Sequence, residues 1–297
     1  AFIEDSVAPF DRESCIKNAI ATFEELKTYG LKSYVDATPI DLGLPSRNAD
    51  ILKEISEKTG VNIICATGVY YEKNGAAGYY HFRSNIPLFD VVKEMEEVFV
   101  KEITEGIGKT GIKAGVIKVA TGHGAISPYE ETALKAAAKA QKETGVPIIS
   151  HTEAGTMGPE QADLLIAEGA DPKQMMIGHA NGNGDIKYHT AILDKGVYLG
   201  FDRLGIEVPQ EMSDRWSMAC IIGLIGIGFA NRIMMSHDYI MTWLGRPLGD
   251  ILSQVQPNWH ARHVFKDLVP ALKEAGVTDD KIKTILIDNP RRLFAGL

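Results

Sequence analysis

The sequence is short of positive charge, short of cysteine and free of long apolar runs. It holds 31 lysines and arginines against 39 aspartates and glutamates, a formal charge of −8. Proteins that hold phosphate backbones need a cationic surplus, so this balance speaks against nucleic acid as a partner. The three cysteines, Cys15, Cys65 and Cys220, are scattered, odd in number and without CxxC spacing. They offer no disulfide framework and no thiolate metal site, and a reducing, cytoplasmic setting is expected. Cys65, in NIICAT, reads as a small buried residue. No apolar run reaches the roughly 18–20 residues of a membrane span. The best candidate, Ala219 to Ala230, is broken by glycine and reads as a buried helix. No export signal is visible, and there is no linker, low-complexity tract or composition shift. There is no GxGxxG, so the glycines of the NGNGD loop, Gly182 and Gly184, give only a weak phosphate-binding signal.

What is present is an ordinary globular composition, with 45% apolar and 24% charged residues over 297 positions. That length admits two domains or one barrel of about 250 residues. With no linker in sight, the expectation is one domain over 1–297. Short β-branched runs alternate with amphipathic stretches. Strands are expected at Lys32–Thr38, Asn62–Val69, Gly115–Thr121, Pro147–Thr152, Met175–His179, Val197–Asp202 and Arg232–Asp238. Helices are expected at Arg12–Tyr29, Ala49–Thr59, Leu88–Glu105, Tyr129–Thr144, Pro159–Glu168, Trp259–Gly276 and Asp279–Ile287, with Asp279 capping the last. Such alternation implies parallel pairing with right-handed crossovers. The α/β pattern fits a TIM (β/α)8 barrel, but seven units are one short of eight. The chain runs from about ten loop-like residues into a helix, where a strand should come first.

The polar residues of these strands carry the chemistry. Lys118 lies within GVIKVAT, His151 near the end of PIISHT, His179 ends MMIGH, and Asp202 and Asp238 end their runs. In a βα barrel the C-terminal strand ends form the active face. Taken singly, a strand-end His is a common hydrogen-bonding residue and a strand-end Asp a common helix cap. Lys118 is harder to explain, because its neighbours Val116, Ile117, Val119 and Ala120 are all apolar. Burial lowers a lysine pKa and leaves a nucleophilic amine. That amine serves either a Schiff base or a carbamate, formed with carbon dioxide, that bridges two metals. The two histidines and the aspartate are N and O donors suited to divalent cations.

These residues carry a resemblance. The runs ATGVYY (66–71), GIKAGVIKVAT (111–121), TGVPIISHT (144–152), IGHANGNGD (177–185), GFDRLG (200–205), MMSHDY (234–239), PNWH (257–260) and DNPRRLF (288–294) resemble the phosphotriesterase family of the amidohydrolase superfamily. The likeness is strongest to its phosphotriesterase-like lactonase branch and covers essentially the whole chain. It implies a barrel hydrolase with two divalent metals, zinc first and manganese, cobalt or iron as alternatives. It implies that a carboxylated Lys118 bridges the two metals and that His151 and His179 bind the more exposed one. Asp238 falls on the residue that binds the buried metal and takes a proton from the bridging hydroxide. Tyr70 falls where lactonases place a tyrosine and phosphotriesterases proper a tryptophan, and Arg203 falls on an arginine typical of lactonases. The resemblance further implies a small lactone or ester substrate, possible promiscuous phosphotriester hydrolysis and a homodimer. Trp243 falls in a substrate-lining loop or else packs as a half-buried aromatic. Asp202 joins a proton relay with Asp238 or a salt bridge, and His237 faces away from the site.

One departure stands out. The family's first strand ends in an HxH pair that binds the buried metal, and no two of the eight histidines here are two positions apart. Neither His81 nor His123 is placed to substitute. Either the pair belongs to a leader of about 25–30 residues absent before Ala1, or the chain is a barrel with half its ligands. The alternatives to a lactonase are thus a phosphotriesterase proper, a catalytically incomplete barrel, and a Schiff-base enzyme built on Lys118.

Overall fold

The structure is a computed structural model that describes residues 10–42, 48–84, 86–208, 213–243, 246–247 and 251–297, without the side chains of 243, 246, 247, 251 and 252. Trp243 therefore has a described backbone, but its side chain lies outside the described residues.

Seven parallel strands pair in sequence order: β1 (Ser33–Asp36), β2 (Asn62–Gly68), β3 (Val116–Thr121), β4 (Ile148–Thr152), β5 (Met175–Ile177), β6 (Tyr198–Phe201) and β7 (Ile233–Met235). Each neighbouring pair is separated by helical crossovers, as parallel pairing requires. The principal helices are α1 (Arg12–Lys27), α2 (Ala49–Thr59), α3 (Val91–Thr104), α4 (Pro128–Thr144), α5 (Gly158–Ala167), α6 (Ile186–Leu193) and α7 (Asp214–Gly226). The sheet curls into a barrel. The rings of Tyr34 on β1 and His237 beyond β7 come within 6.1 Å, although those strands stand at opposite ends of the pairing order.

Local chemistry sets the helix ends. Ser127 and Glu130 form a reciprocal capping box at the start of α4, and Gly145 ends that helix in the left-handed region at φ 72°. Asp11 and Asp90 cap α1 and α3 by accepting from the amides of Ser14 and Lys93.

All seven expected strands are present, but several end sooner than their apolar runs. β5 stops at Ile177, β6 at Phe201 and β7 at Met235. His179, Asp202 and Asp238 therefore sit in the loops just past the strand ends. Helix 259–276 begins later than expected, at about Val264, and its first turns are π-helical. Asp279 does not cap. It occupies the first helical position after Thr278 and pairs with Lys273 at 2.6 Å. Helix α7 covers only part of the 219–230 run and buries one face, through Ser217, Met218, Ile221 and Leu224.

The strand period of two divides the core. Ile117, Val119, Ile148, Leu199, Phe201 and Ile233 face the surrounding helices and join the main apolar cluster. Ala66, Val116, Ile149, Tyr198 and Met234 form a separate cluster inside the barrel. Two residues further along the strands, on that same inner face, come Lys118 and His151. The pleat that buries the barrel core thus delivers a cation and an imidazole to its C-terminal mouth.

Candidate functional site

Lys118 lies on β3 opposite Gly68 of β2 and Ile149 of β4, and is 7% exposed. Gly68 has φ 101°, and a Cβ there would collide with the Lys118 carbonyl, so only glycine lets the two backbones approach at this point. Burial lowers the Lys118 pKa, and Asp238 and Asp202 oppose that shift only in part.

The two histidines meet edge to face across the mouth, with ring centroids 4.5 Å apart. Burial holds the pKa of each well below the usual imidazole value, so both are neutral. Their hydrogen bonds assign the tautomers. His151 Nε2–H donates to Glu153 Oε2 at 2.8 Å, which leaves Nδ1 to accept from the Tyr70 hydroxyl at 3.2 Å. His179 Nδ1–H donates to Asp202 Oδ1 at 2.8 Å, which leaves Nε2 facing Asp238 Oδ2 at 4.0 Å. Each ring has one nitrogen fixed by a carboxylate and one lone pair turned inward, an arrangement common to metal-ligating histidines.

Asp202 also accepts the His179 backbone N–H at 2.6 Å. This double hold fits the left-handed backbone of His179, whose φ is 61°. Asp202 is thus hydrogen-bonded to His179 at both its ring and its backbone. Asp238 has φ 46° and pairs through Oδ2 with Arg203 Nε at 3.0 Å. His237 turns away, as expected: it is buried, burial lowers its pKa to about 4, and its Nδ1 accepts the Tyr239 amide at 2.9 Å.

Tyr70 follows β2, and burial raises its hydroxyl pKa, so the phenol stays protonated. Its backbone N–H is held by both oxygens of Asp41, at 2.8 and 3.0 Å. Tyr71 stacks on His151 with centroids 5.2 Å apart and lies against the Tyr70 ring at 4.7 Å.

Lys118, His151, His179, Asp238, Tyr70 and Arg203 thus converge on one end of the barrel. The three donors His151, His179 and Asp238 do not close into one tight cluster, and the buried amine of Lys118 lies among them. Glu153, Asp202 and Asp41 complete the surroundings. Sequence reasoning missed Glu153 and Asp41. Glu153 carried one readable signal, a carboxylate two residues after a candidate ligand in SHTE. Asp41 carried none, because its partner lies 29 residues away.

The chain matches the model of the phosphotriesterase family over residues 2–294. It is 33% identical to an aryldialkylphosphatase of Saccharolobus solfataricus over 289 residues, covering 96% of this chain and 88% of that protein. It is 31% identical to a phospho-furanose lactonase of Mycoplasmopsis synoviae over 287 residues, covering 89% and 78%. The solved structure of an organophosphorus hydrolase from Deinococcus radiodurans superposes with a TM-score of 0.92 at 43% identity, covering 97% of this chain and 86% of that one. The chain belongs to the phosphotriesterase family, and its fold is the TIM barrel of that family.

Proposed function

We propose that this member of the phosphotriesterase family is a metal-dependent hydrolase that opens lactone esters, with phosphotriesters as secondary substrates. One observation carries the reading: two histidines, each pinned at one ring nitrogen by a carboxylate, turn the other nitrogen into a mouth that also holds a buried lysine and an aspartate, His151 toward the Tyr70 hydroxyl and His179 toward Asp238. That donor set fits divalent cations of zinc type, with manganese, cobalt or iron also suited to N and O ligands. Two such ions, when bound, would supply a water acidic enough to attack at neutral pH and a Lewis acid for the carbonyl.

The chain's own residues have the following roles. His151, through Nδ1, and His179, through Nε2, would hold an ion, while Glu153 and Asp202 keep both rings in the required tautomer and orientation. The Lys118 amine, whose pKa is lowered by burial, would in its uncharged form add to carbon dioxide and lose a proton, and the resulting carbamate would offer anionic oxygen donors to the ions. Asp238 would help hold an ion, and its carboxylate accepts a proton and hands it to the leaving alkoxide. Arg203 holds that carboxylate through Oδ2 and shapes the substrate pocket. Tyr70, a phenol that stays protonated, donates to the oxygen on which charge develops. The same reading takes residues 1–297 as one barrel domain that works as a cytoplasmic homodimer. No helix among the described residues is long and apolar enough to cross a membrane.

The test is a parallel assay of a lactone series and an aryl phosphotriester on one metal-supplemented preparation. A higher kcat/KM for at least one lactone supports the reading. A preference for the phosphotriester assigns the chain to phosphotriesterases proper, and no turnover of either overturns the hydrolase.

A further inference from the structure

We propose that Trp259 is a positioning residue for Asp238: its indole N–H clamps the two carbonyls of the turn that aims the Asp238 carboxylate into the mouth. The proposal rests on the role given to Asp238 above. β7 ends at Met235, so the carbonyls of His237 and Asp238 lie beyond the strand. Trp259 Nε1 donates to both, at 2.9 Å to His237 and 3.2 Å to Asp238. Asp238 itself has φ 46°, a region that a non-glycine residue keeps only where its surroundings hold it. On the other side of the same turn, the Tyr239 amide donates to His237 Nδ1. The turn is therefore pinned twice, once from within and once by a residue 21 positions downstream.

A clamp works only if its own base is fixed, and the segment carrying Trp259 is fixed at both ends. Before it, the Gln256 side chain exchanges two bonds with the Glu207 backbone, at 2.9 and 3.2 Å. After it, buried His263 lies between two carboxylates, with Nε2 2.7 Å from Asp214 and Nδ1 2.9 Å from Asp267. Burial alone would lower the His263 pKa, but the two carboxylates outweigh it and raise it. His260, His263 and Asp267 are the one group of metal-type donors gathered closely among the described residues. His263 commits both ring nitrogens to carboxylates, so the group acts as a pin that ties the segment to Asp214, the first residue of α7.

The test removes the N–H by Trp259→Phe, which also shrinks the ring, and by benzothienylalanine at position 259, which is isosteric with tryptophan and has no N–H. Two readouts are taken: hydrogen exchange at the Tyr239 amide, and zinc retention against a chelator. The expected result is an unfolding midpoint close to the parent, faster exchange at Tyr239, and about 10–100-fold weaker zinc retention, with kcat falling more than KM changes. Parental exchange and parental zinc retention in both variants would overturn the proposal, as would changes that appear only together with global unfolding. Exchange at Tyr239 is measured on metal-free protein, so it reads the clamp apart from metal binding and turnover. A parent protein that neither binds zinc nor opens lactones would defeat the hydrolase reading, while the clamp would still stand or fall on that exchange.

Discussion

The Asp202 carboxylate grips His179 twice, at the backbone N–H (2.6 Å) and at Nδ1 (2.8 Å). Because His179 stands in the left-handed region just past β5, the grip sets both its backbone and its ring. Gly178 makes this possible, since a Cβ there would come within 2.7 Å of Asp202 Oδ2. The Asp202→Ala variant is expected to lose about 10–100-fold in metal affinity. Chelator competition followed by elemental analysis checks this, and unchanged affinity would remove Asp202 from the account. Glu153→Gln, which keeps an acceptor for His151, should lose less than Glu153→Ala.

Tyr70 offers a hydroxyl bonded to His151 Nδ1 at 3.2 Å. Tyr70→Phe removes the donor and keeps the ring against Tyr71 and His151. Loss of one oxyanion donor corresponds to about a 10²–10³-fold fall in kcat. Steady-state kinetics on a lactone checks it. A change confined to KM would make Tyr70 a wall of the pocket and nothing more.

Lys118 is expected to cost stability. Its amine is buried, so the charged form is penalised and the pKa lowered, while the carboxylates near it have other partners, Asp202 in His179 and Asp238 in Arg203. Replacing buried charge with an apolar chain of similar length is often neutral or stabilising by about 1–4 kcal/mol. Lys118→Met, compared with the metal-free parent in urea unfolding, should be equally or more stable while losing all turnover. A clearly less stable variant would show that Lys118 is a structural ion-pair residue.

Burial raises the Asp41 pKa from 3.8 to about 7, against hydrogen bonds from the Tyr70 backbone that favour the charged form. A raised carboxyl pKa means that the folded state holds the proton longer than the unfolded chain. The stability this contributes is fully present below about 3.8 and is lost as pH rises through about 7. Asp41→Asn should therefore gain stability relative to the parent as pH rises across that window. Urea unfolding of both proteins between pH 4 and 8 reads the difference, and a constant offset would contradict the assignment.

Phe201 ends β6 with no exposure and packs in the main cluster. Phe201→Ala should cost about 3–5 kcal/mol. Because Asp202 follows it directly, the variant should also weaken the hold on His179. Denaturation and metal affinity, measured together, check both halves.

The barrel was legible because its strands are buried on both faces. Val116–Thr121 and Ile148–Thr152 are buried at every position, and runs of that kind stand out in a sequence. Lys118 was legible for the same reason, as a charge inside such a run. The ends of the runs were not. The apolar pattern continues through Gly178 and Ser236, but the ladder stops earlier, where the backbone turns left-handed at His179 and Asp238. Partners distant in sequence were also hidden. Asp41 under Tyr70 and Trp259 over Asp238 meet through the fold across 29 and 21 positions, and no local period encodes that. The motif PNWH was visible, whereas the indole's acceptors were not.

The central claim is that the mouth around Lys118 holds divalent metal. The most direct measurement is metal per chain by elemental mass spectrometry, after zinc saturation and desalting, for the parent and for Lys118→Ala. The account predicts about two ions per chain in the parent and background in the variant. An empty parent, or a variant that keeps the parent's full content, would contradict it.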